Sequence, residues 1–215
     1  MSLEYSSYVN LLGNVCLNIA FVLYLIVYIP QILHNKQANN LSGLSLWLHF
    51  LLYISYFLDL LYGFASNLPW QYKIVSIASI IPIVIQHLQL LKYFQKRDLL
   101  LLERTSFIFF ILSIIATLYI FNQIMHNELS IRHIIFIGIT SRIAGLIYFI
   151  PQILKNKSIK STKGISAHFI YLSFFLVILD SISAWCLNWG WILKISSPLV
   201  VFLIFIIMLQ NKKYS

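Results

Sequence analysis

Charged side chains stand inside stretches of the chain that are otherwise apolar. Asp59 and Asp180 lie 121 residues apart, Lys73 and Lys194 repeat the same separation, and Arg142 stands alone. Inserting a charged side chain at the centre of a bilayer costs roughly 2.5–3.5 kcal/mol of free energy on insertion scales. Each of these groups therefore requires a charged or polar partner, or a functional role. A carboxylate can bind and release a proton, and a carboxylate beside a cation can hold both charges of a zwitterion.

The turns between the apolar stretches indicate how these charges pair. Asp59 shortly precedes a short turn and Lys73 shortly follows it, so we expect the two side chains to meet at similar depth. The same reasoning pairs Asp180 with Lys194, and Arg142 is a second possible partner for Asp180. Two interpretations stay open: the pairs tie neighbouring helices together, or they line a central pocket in which at least one Asp exchanges a proton.

Uncharged polar residues extend the predicted pocket. Asn10, Asn14 and Asn18 recur every four residues and form one polar helix face, on which Asn18 is the deepest. Ser76 and Ser197 follow the two lysines at the same spacing. The predicted substrate- or proton-binding residues are Asp59, Asp180, Lys73, Lys194, Arg142, Asn18, Ser76 and Ser197.

The composition indicates that these residues lie in a membrane. The chain of 215 residues is 60% hydrophobic and 10% charged, with a mean hydropathy of +0.85. A soluble domain of this length cannot bury so much apolar surface. We predict an all-α, polytopic membrane protein, because long apolar segments in lipid satisfy their backbone hydrogen bonds as helices. The seven predicted spans are 10–33, 44–64, 70–94, 105–125, 131–154, 164–187 and 189–210.

The basic residues assign the two faces of the membrane. Eleven of the fifteen lysines and arginines fall on the side of the C-terminus and of the loops after the first, third and fifth spans. The positive-inside rule therefore predicts an N-terminus outside or in a lumen, and a C-terminus in the cytosol. This distribution accounts for the net charge of +9 without nucleic acid as a partner. The eleven residues are Lys36, Lys92, Lys96, Arg97, Arg104, Lys155, Lys157, Lys160, Lys163, Lys212 and Lys213.

The chain contains an internal repeat. Between residues 30–45 and 151–166, eight of sixteen positions are identical, and paired Asp, Trp and Lys residues keep the same register further on. The register predicts two three-helix bundles, residues 10–94 and 131–210, joined by a linker helix at 105–125. The added span gives both bundles the same orientation in the membrane, which is a parallel-repeat arrangement.

A Pro-Gln pair stands near the end of the first span of each repeat, as Pro30-Gln31 and Pro151-Gln152. Proline inside a helix frees the carbonyl four residues earlier and bends the helix. We expect each glutamine amide to donate to that freed carbonyl, on Ile26 or Ile147. Two symmetric bends at the cytosolic side predict a hinge or inner gate.

A chain with this 3+1+3 pattern and with Pro-Gln in both repeats resembles the PQ-loop family. That family includes the SWEET sugar transporters and the cystinosin-like and cationic amino-acid exporters of lysosomes. The resemblance covers nearly the whole chain. It implies an alternating-access carrier whose pocket lies between the two three-helix bundles.

The charges favour an amino acid over a sugar as the solute, with protons as a second partner. SWEET members resemble one another in an asparagine on the third helix of each repeat, and here Lys73 and Lys194 stand near that level. A sugar facilitator is the alternative, followed by a sorting receptor similar to the KDEL receptors. The chain shows no nucleophile–base set, metal motif or phosphate loop, so we expect no enzyme activity, cofactor or metal. The cell (inner) membrane is favoured over an acidic organelle, and a homo-oligomer is left open.

Overall fold

A computed structural model gives the structure of residues 2–38, 41–68, 70–189 and 191–214. Within these residues the chain forms nine α-helices and one short 3₁₀ turn, Leu41–Gly43. The all-helical class predicted from the sequence is therefore confirmed. The helices are α1 Ser2–Ile26, α2 Ile29–Ala38, α3 Leu46–Ala65, α4 Trp70–Lys96, α5 Leu100–Met125, α6 Ile131–Ile147, α7 Phe149–Ile159, α8 Ala167–Cys186 and α9 Trp191–Tyr214.

Seven helical stretches of the described chain are long and apolar enough to cross a membrane, which confirms the predicted number of spans. Two of them, Ser7–Lys36 and Ile131–Ile159, each combine two helices, α1 with α2 and α6 with α7. The first span extends about one turn beyond its predicted end at residue 33, because the polar residues after Pro30 stay helical. Chain direction places the turns that begin at residues 66, 126 and 187 at one end, which we call the N-terminal end. The opposite end is called the Pro-Gln end.

Small polar residues start and stop the helices at equivalent places in the two repeats. Ser45 and Ser166 are the N-caps of α3 and α8, and each hydroxyl accepts from the backbone N–H three residues later. Asn67 and Asn188 adopt left-handed backbone conformations (φ 48° and 53°) just after the ends of α3 and α8. Asparagine tolerates this conformation, so it ends each helix and turns the chain toward the next span.

Each second span packs against the first span of the other repeat. Helix α3 lies along α6, and α8 lies along α1. Small residues permit close approach: Gly138 faces the ring of Tyr62, and Gly145 faces the Ser55 hydroxyl. Within each repeat, the third span packs on the second, α4 on α3 and α9 on α8. The packing therefore places the boundary between the two repeats along the middle of the bundle.

Helix α5 packs on α3 and α4 of the first repeat. The imidazole of His87 bonds to the Ser106 carbonyl at 3.1 Å, and the Ser113 hydroxyl donates to Tyr53 at 2.9 Å. Ser106 is the buried residue of this helix, whose other face is largely exposed on the surface of the bundle.

Candidate functional site

A cavity of about 610 Å³ lies between the two repeats. It is lined by α1, α3 and α4 of the first repeat and by α6, α8 and α9 of the second. The lining extends to the N-terminal end, where it includes Leu68, Gln71 and Trp189. Five of the predicted binding residues line it: Asp59, Asp180, Arg142, Ser76 and Ser197.

Asp59 forms an ion pair with Arg142 at 3.0 Å. Among the described residues this is the one ion pair found. The side chains are 16% and 23% exposed. Ser141 donates to the same carboxylate at 3.3 Å, and Tyr72 donates to it while accepting from the Arg142 guanidinium. Arg142, given by the sequence as a second possible partner for Asp180, pairs with Asp59 instead, because α6 packs along α3.

The predicted Asp–Lys pairs are wrong. The Lys73 ammonium donates to the side-chain oxygen of Asn67 at 3.0 Å, and Lys194 donates to that of Asn188. Each ammonium also lies over a ring near the end of the preceding span, 5.4 Å from the centroid of Phe64 for Lys73. A long lysine side chain can reach the boundary from a helix end, so these charges escape the interior and do not line the cavity.

Asp180 is partnered by a hydroxyl instead of a cation. Tyr24 of α1 donates to Oδ2 of this carboxylate. No ion pair of Asp180 and no hydrogen bond to its Oδ1 is found within the described part of the chain. The position equivalent to Arg142 in the first repeat is Phe21, which carries no charge. Asp180 is therefore a partly buried carboxylate on the cavity wall with an oxygen left for a ligand or a proton.

The two serines and Asn18 divide between cavity and surface. Ser76 and Ser197 line the cavity, and Ser76 donates to Asp59 at 3.4 Å. Asn18 is exposed on the outside of the bundle and is not part of the lining, so its prediction as a pocket residue is wrong. The polar face of α1 points away from α8, since Gly13, Cys16 and Ala20 form the packed face.

An aromatic layer lies below the cavity, toward the Pro-Gln end. The Tyr28 hydroxyl donates to the Tyr56 hydroxyl, and the Tyr28 ring packs on Phe169 with 5.5 Å between centroids. Phe149, the equivalent of Tyr28 in the second repeat, is 1% exposed and packs on Tyr148. These rings separate the cavity from the Pro-Gln end.

Both prolines lie directly after an interruption in the first span. Helix α1 ends at Ile26 and α2 begins at Ile29, and Tyr148 separates α6 from α7. Pro30 is the second residue of α2 and Pro151 is the third residue of α7. Both lie in the first turn, where a helix leaves its backbone N–H groups unpaired, so a missing N–H does no harm. Both repeats therefore interrupt the first span next to the proline, and the bend and its role as a hinge stay predictions.

The two glutamines do not bond to the carbonyls that the prolines free. Gln31 accepts from the Ser166 N–H at 2.7 Å and donates to the Gly164 carbonyl at 3.2 Å. Gln152 accepts from the Ser45 N–H at 2.7 Å and donates to the Gly43 carbonyl at 3.1 Å. Each glutamine therefore bonds across the repeat boundary, to the Gly-x-Ser segment of the other repeat, which is Gly43-Leu44-Ser45 in the first repeat and Gly164-Ile165-Ser166 in the second. We call these four bonds the crossed latch.

A second polar layer supports the crossed latch. The Gln31 amide also donates to Asn35 at 2.8 Å, Asn35 donates to Gln89 at 3.1 Å, and Gln89 donates to the Ile32 carbonyl at 3.1 Å. The second repeat forms the same chain at equivalent positions through Gln152, Asn156, Gln210 and the Ile153 carbonyl. Four of these side chains are nearly inaccessible to solvent, so these bonds fix their orientations: Gln31, Asn35, Gln152 and Asn156.

The latch requires glycine at its centre. A Cβ on Gly164 would lie 1.9 Å from the Gly43 carbonyl carbon, and one on Gly43 would lie 2.6 Å from the Gly164 N. The two loops therefore touch through their backbones at the Pro-Gln end. The sequence contains the repeated Gly-x-Ser segment, but the requirement for glycine follows only from the contact between Gly43 and Gly164, which lie far apart in the chain.

Sequence reasoning did not select the cavity tyrosines as binding residues: Tyr24 could line a pathway but was weighed against packing, and Tyr72 was missed. Tyr24 and Tyr72 hold the two aspartates, but thirteen tyrosines in the chain made these two inconspicuous. For Tyr24 the available signal is its position, one turn after Phe21 on the helix face that also carries Leu17 and Ala20.

The cavity, the seven spans and the latch built twice define a polytopic helical membrane protein made of two copies of one unit. The model of the PQ loop repeat matches residues 12–72 and 134–193, together more than half of the chain. The chain belongs to the PQ-loop repeat family, as its doubled Pro-Gln segments predicted. Among curated proteins, no significant match to the chain is found.

Proposed function

We propose that this protein is an alternating-access transporter of a small polar solute, and that the solute is an amino acid. The observation that carries the proposal is the open bonding capacity of two opposite charges in one cavity. Within the described residues, Arg142 uses only Nη2 for its bonds, and Asp180 uses only Oδ2. The remaining guanidinium donors suit a carboxylate, and Asp180 Oδ1 suits an ammonium group.

The position of the cavity supports alternating access. It reaches the N-terminal end of the bundle, while the aromatic layer and the crossed latch close the Pro-Gln end. A transporter must exchange this state for one with the opposite closure. With the N-terminal end outside and the Pro-Gln end in the cytosol, the described state is open to the outside. We place it in the cell membrane.

Proton coupling follows from one unmatched negative charge. Asp59 has Arg142 as counter-charge, whereas Asp180 has only the Tyr24 hydroxyl. An ionised carboxylate without a counter-charge is costly at this depth, so Asp180 binds a proton or an ammonium group. In this scheme, exchange between the two links solute movement to proton movement.

Uptake into proteoliposomes tests the proposal. Purified protein is offered a panel of labelled amino acids and sugars, with and without an inward proton gradient. We expect uptake of amino acids, increased by the gradient, and its loss in Asp180→Asn. Sugar flux that is selective and unaffected by Asp180→Asn would overturn the amino-acid proposal.

A further inference from the structure

The two repeats build unlike walls from equivalent positions. The α6 residues that line the cavity include Gly138, Ser141 and Arg142. The equivalent residues of α1, in the same 121-residue register, are Leu17, Ala20 and Phe21, and these also line the cavity. At these three positions α6 carries a cation and a hydroxyl, whereas α1 carries only apolar side chains; the hydroxyl of the α1 lining belongs to Tyr24 and donates to Asp180.

The unlike walls bear on how an amino acid would lie in the cavity. Its Cα carries three substituents that require space: the ammonium group, the carboxylate and the side chain. Asp180 offers an acceptor for the first and Arg142 offers donors for the second. The side chain of the amino acid would then contact the apolar part of the lining.

That apolar part is extensive and continues to the N-terminal end. The side chains of Leu17, Ala20 and Phe21 contain no polar atom that could replace the water around a charged or amide side chain. Further apolar and aromatic lining residues are Val177, Val200, Leu193, Trp189 and Trp191. The Phe21 ring is held edge-on by Trp70, with 6.0 Å between centroids, so it offers a fixed aromatic surface.

The size of the cavity agrees with a bulky side chain. At about 610 Å³ it lies within the roughly 300–1,000 Å³ of cavities that enclose drug-sized ligands. An amino acid with a very small side chain would leave the α1 wall uncovered and would gain little from burial.

We propose that this cavity selects amino acids with large apolar side chains, and aromatic ones above all, with the side chain seated against Leu17, Ala20 and Phe21 of α1. This inference rests on the proposed transport of amino acids and adds the class of side chain. The specificity comes from one pair of equivalent positions at which the two repeats carry different residues. Arg142 binds the carboxylate of the solute, and Phe21 contacts its side chain.

Competition for uptake tests the selectivity. Proteoliposomes take up labelled phenylalanine in the presence of unlabelled phenylalanine, leucine, alanine, lysine, glutamate or glucose. Phenylalanine and leucine should compete at concentrations about tenfold or more below that of alanine, as expected when an apolar surface is buried in a matching site. Lysine and glutamate should compete no better than alanine.

A variant of the α1 wall tests the assignment of the side-chain site. Phe21→Ala should lower the preference for phenylalanine over alanine by about tenfold. Phe202→Ala removes a ring that is 61% exposed on α9 and should leave the preference unchanged. If Phe21→Ala proves unstable in thermal unfolding, Phe21→Leu keeps most of the volume and should favour leucine relative to phenylalanine.

The outcomes separate the two proposals. Uptake in which lysine or alanine competes as well as phenylalanine overturns the selectivity while amino-acid transport stands. An unchanged preference in both Phe21 variants overturns the assignment to the α1 wall. Absence of uptake for every amino acid, or flux of glucose alone, overturns amino-acid transport and the selectivity together.

Discussion

A single unlike pair of residues gives the two equivalent aspartates different chemistry. Asp59 faces α6, which supplies Arg142, and Asp180 faces α1, which supplies Phe21 at the same register. The first carboxylate is held by a cation and by hydroxyl donors, whereas the second is held by Tyr24 alone. A duplicated unit has therefore become one structural carboxylate and one available carboxylate.

This difference predicts opposite phenotypes for the two Asp→Asn variants. Asp59→Asn leaves Arg142 without a counter-charge and should destabilise the fold by about 2–3 kcal/mol, below the ~3–5 kcal/mol of fully buried pairs because both groups are partly exposed. Asp180→Asn removes no ion pair and should unfold near the wild-type temperature while losing uptake. Thermal unfolding in detergent and uptake assays measure the two effects, and equal losses of stability in the two variants would contradict the division of roles.

The sequence predicted the presence of charges in the core but not their pairing. The 121-residue register identified Asp59 and Asp180, and both line the cavity. The lysines were wrongly paired with them because proximity along the chain was the only guide, and a lysine can turn toward the boundary. The Arg142 pair depends on contact between spans of different repeats, for which the small residues Gly138 and Gly145 were the available signal.

At the level of elements, the spans were predicted well and the Pro-Gln segments only in part. Apolar length predicted the seven spans, and proline chemistry agrees with the helix interruptions next to Pro30 and Pro151. The partners of Gln31 and Gln152 could not be derived from local chemistry, since they lie in the loop of the other repeat. Proline chemistry locates the interruption in a helix, but the partners of the neighbouring glutamine depend on how the two repeats pack together.

The glycine contact at the latch predicts a steric ranking. In Gly164→Ala the new methyl group would lie 1.9 Å from a backbone carbon, so the two loops must separate and the crossed hydrogen bonds must lengthen. In Gly43→Ala the nearest atom is at 2.6 Å, so a smaller shift is enough. We expect both variants to unfold at a lower temperature than the wild type, with Gly164→Ala the lower. A wild-type unfolding temperature for Gly164→Ala would contradict the backbone contact.

A buried histidine pair fastens α5 to the first repeat. The Ser106 carbonyl can only accept, so Nε2 of neutral His87 carries the hydrogen and its Nδ1 accepts from Nε2–H of His49 at 3.0 Å. Both rings are inaccessible to solvent, and they lie among Tyr53, Phe109 and Phe110. The second repeat has Ile170 and Met208 at the equivalent positions, which agrees with the position of α5 beside one repeat only.

Replacing this ring should loosen α5. His87→Leu removes a donor and an acceptor from a buried site and leaves His49 without its partner, at a cost of about 1–3 kcal/mol. His168→Leu is the matched control, because His168 is exposed on α8. Thermal unfolding should show a lower midpoint for His87→Leu than for the control. The same midpoint in both variants would show that the pair contributes nothing to the attachment of α5.

Two layers of side chains close the bundle at the Pro-Gln end, whereas the cavity reaches the N-terminal end. The aromatic layer and the crossed latch lie on the Pro-Gln side, and both are built from equivalent positions of the two repeats. Opening this end requires the two repeats to separate there, so the latch bonds break together. In the proposed transport cycle, the strength of the latch therefore sets the balance between the two orientations of the cavity.

Removing the latch should shift that balance. Gln31→Leu together with Gln152→Leu eliminates four bonds between the repeats. At a net ~0.5–1.5 kcal/mol for each bond, the population with an open Pro-Gln end should rise by about tenfold or more. Spin labels at Lys36→Cys and Lys157→Cys, which are exposed and equivalent positions, report the distance across this end in a background without Cys16 and Cys186.

The expected result is a longer-distance population in the double variant, accompanied by altered uptake. Gln95→Leu is the control, since Gln95 is exposed near the same end, on α4, and takes no part in the latch. If the proposed amino acid drives the same transition, adding it to the wild-type protein should populate the same longer distance. A distance distribution that stays unchanged in the double variant would sink the idea that the crossed glutamines hold the Pro-Gln end closed, whatever the solute proves to be.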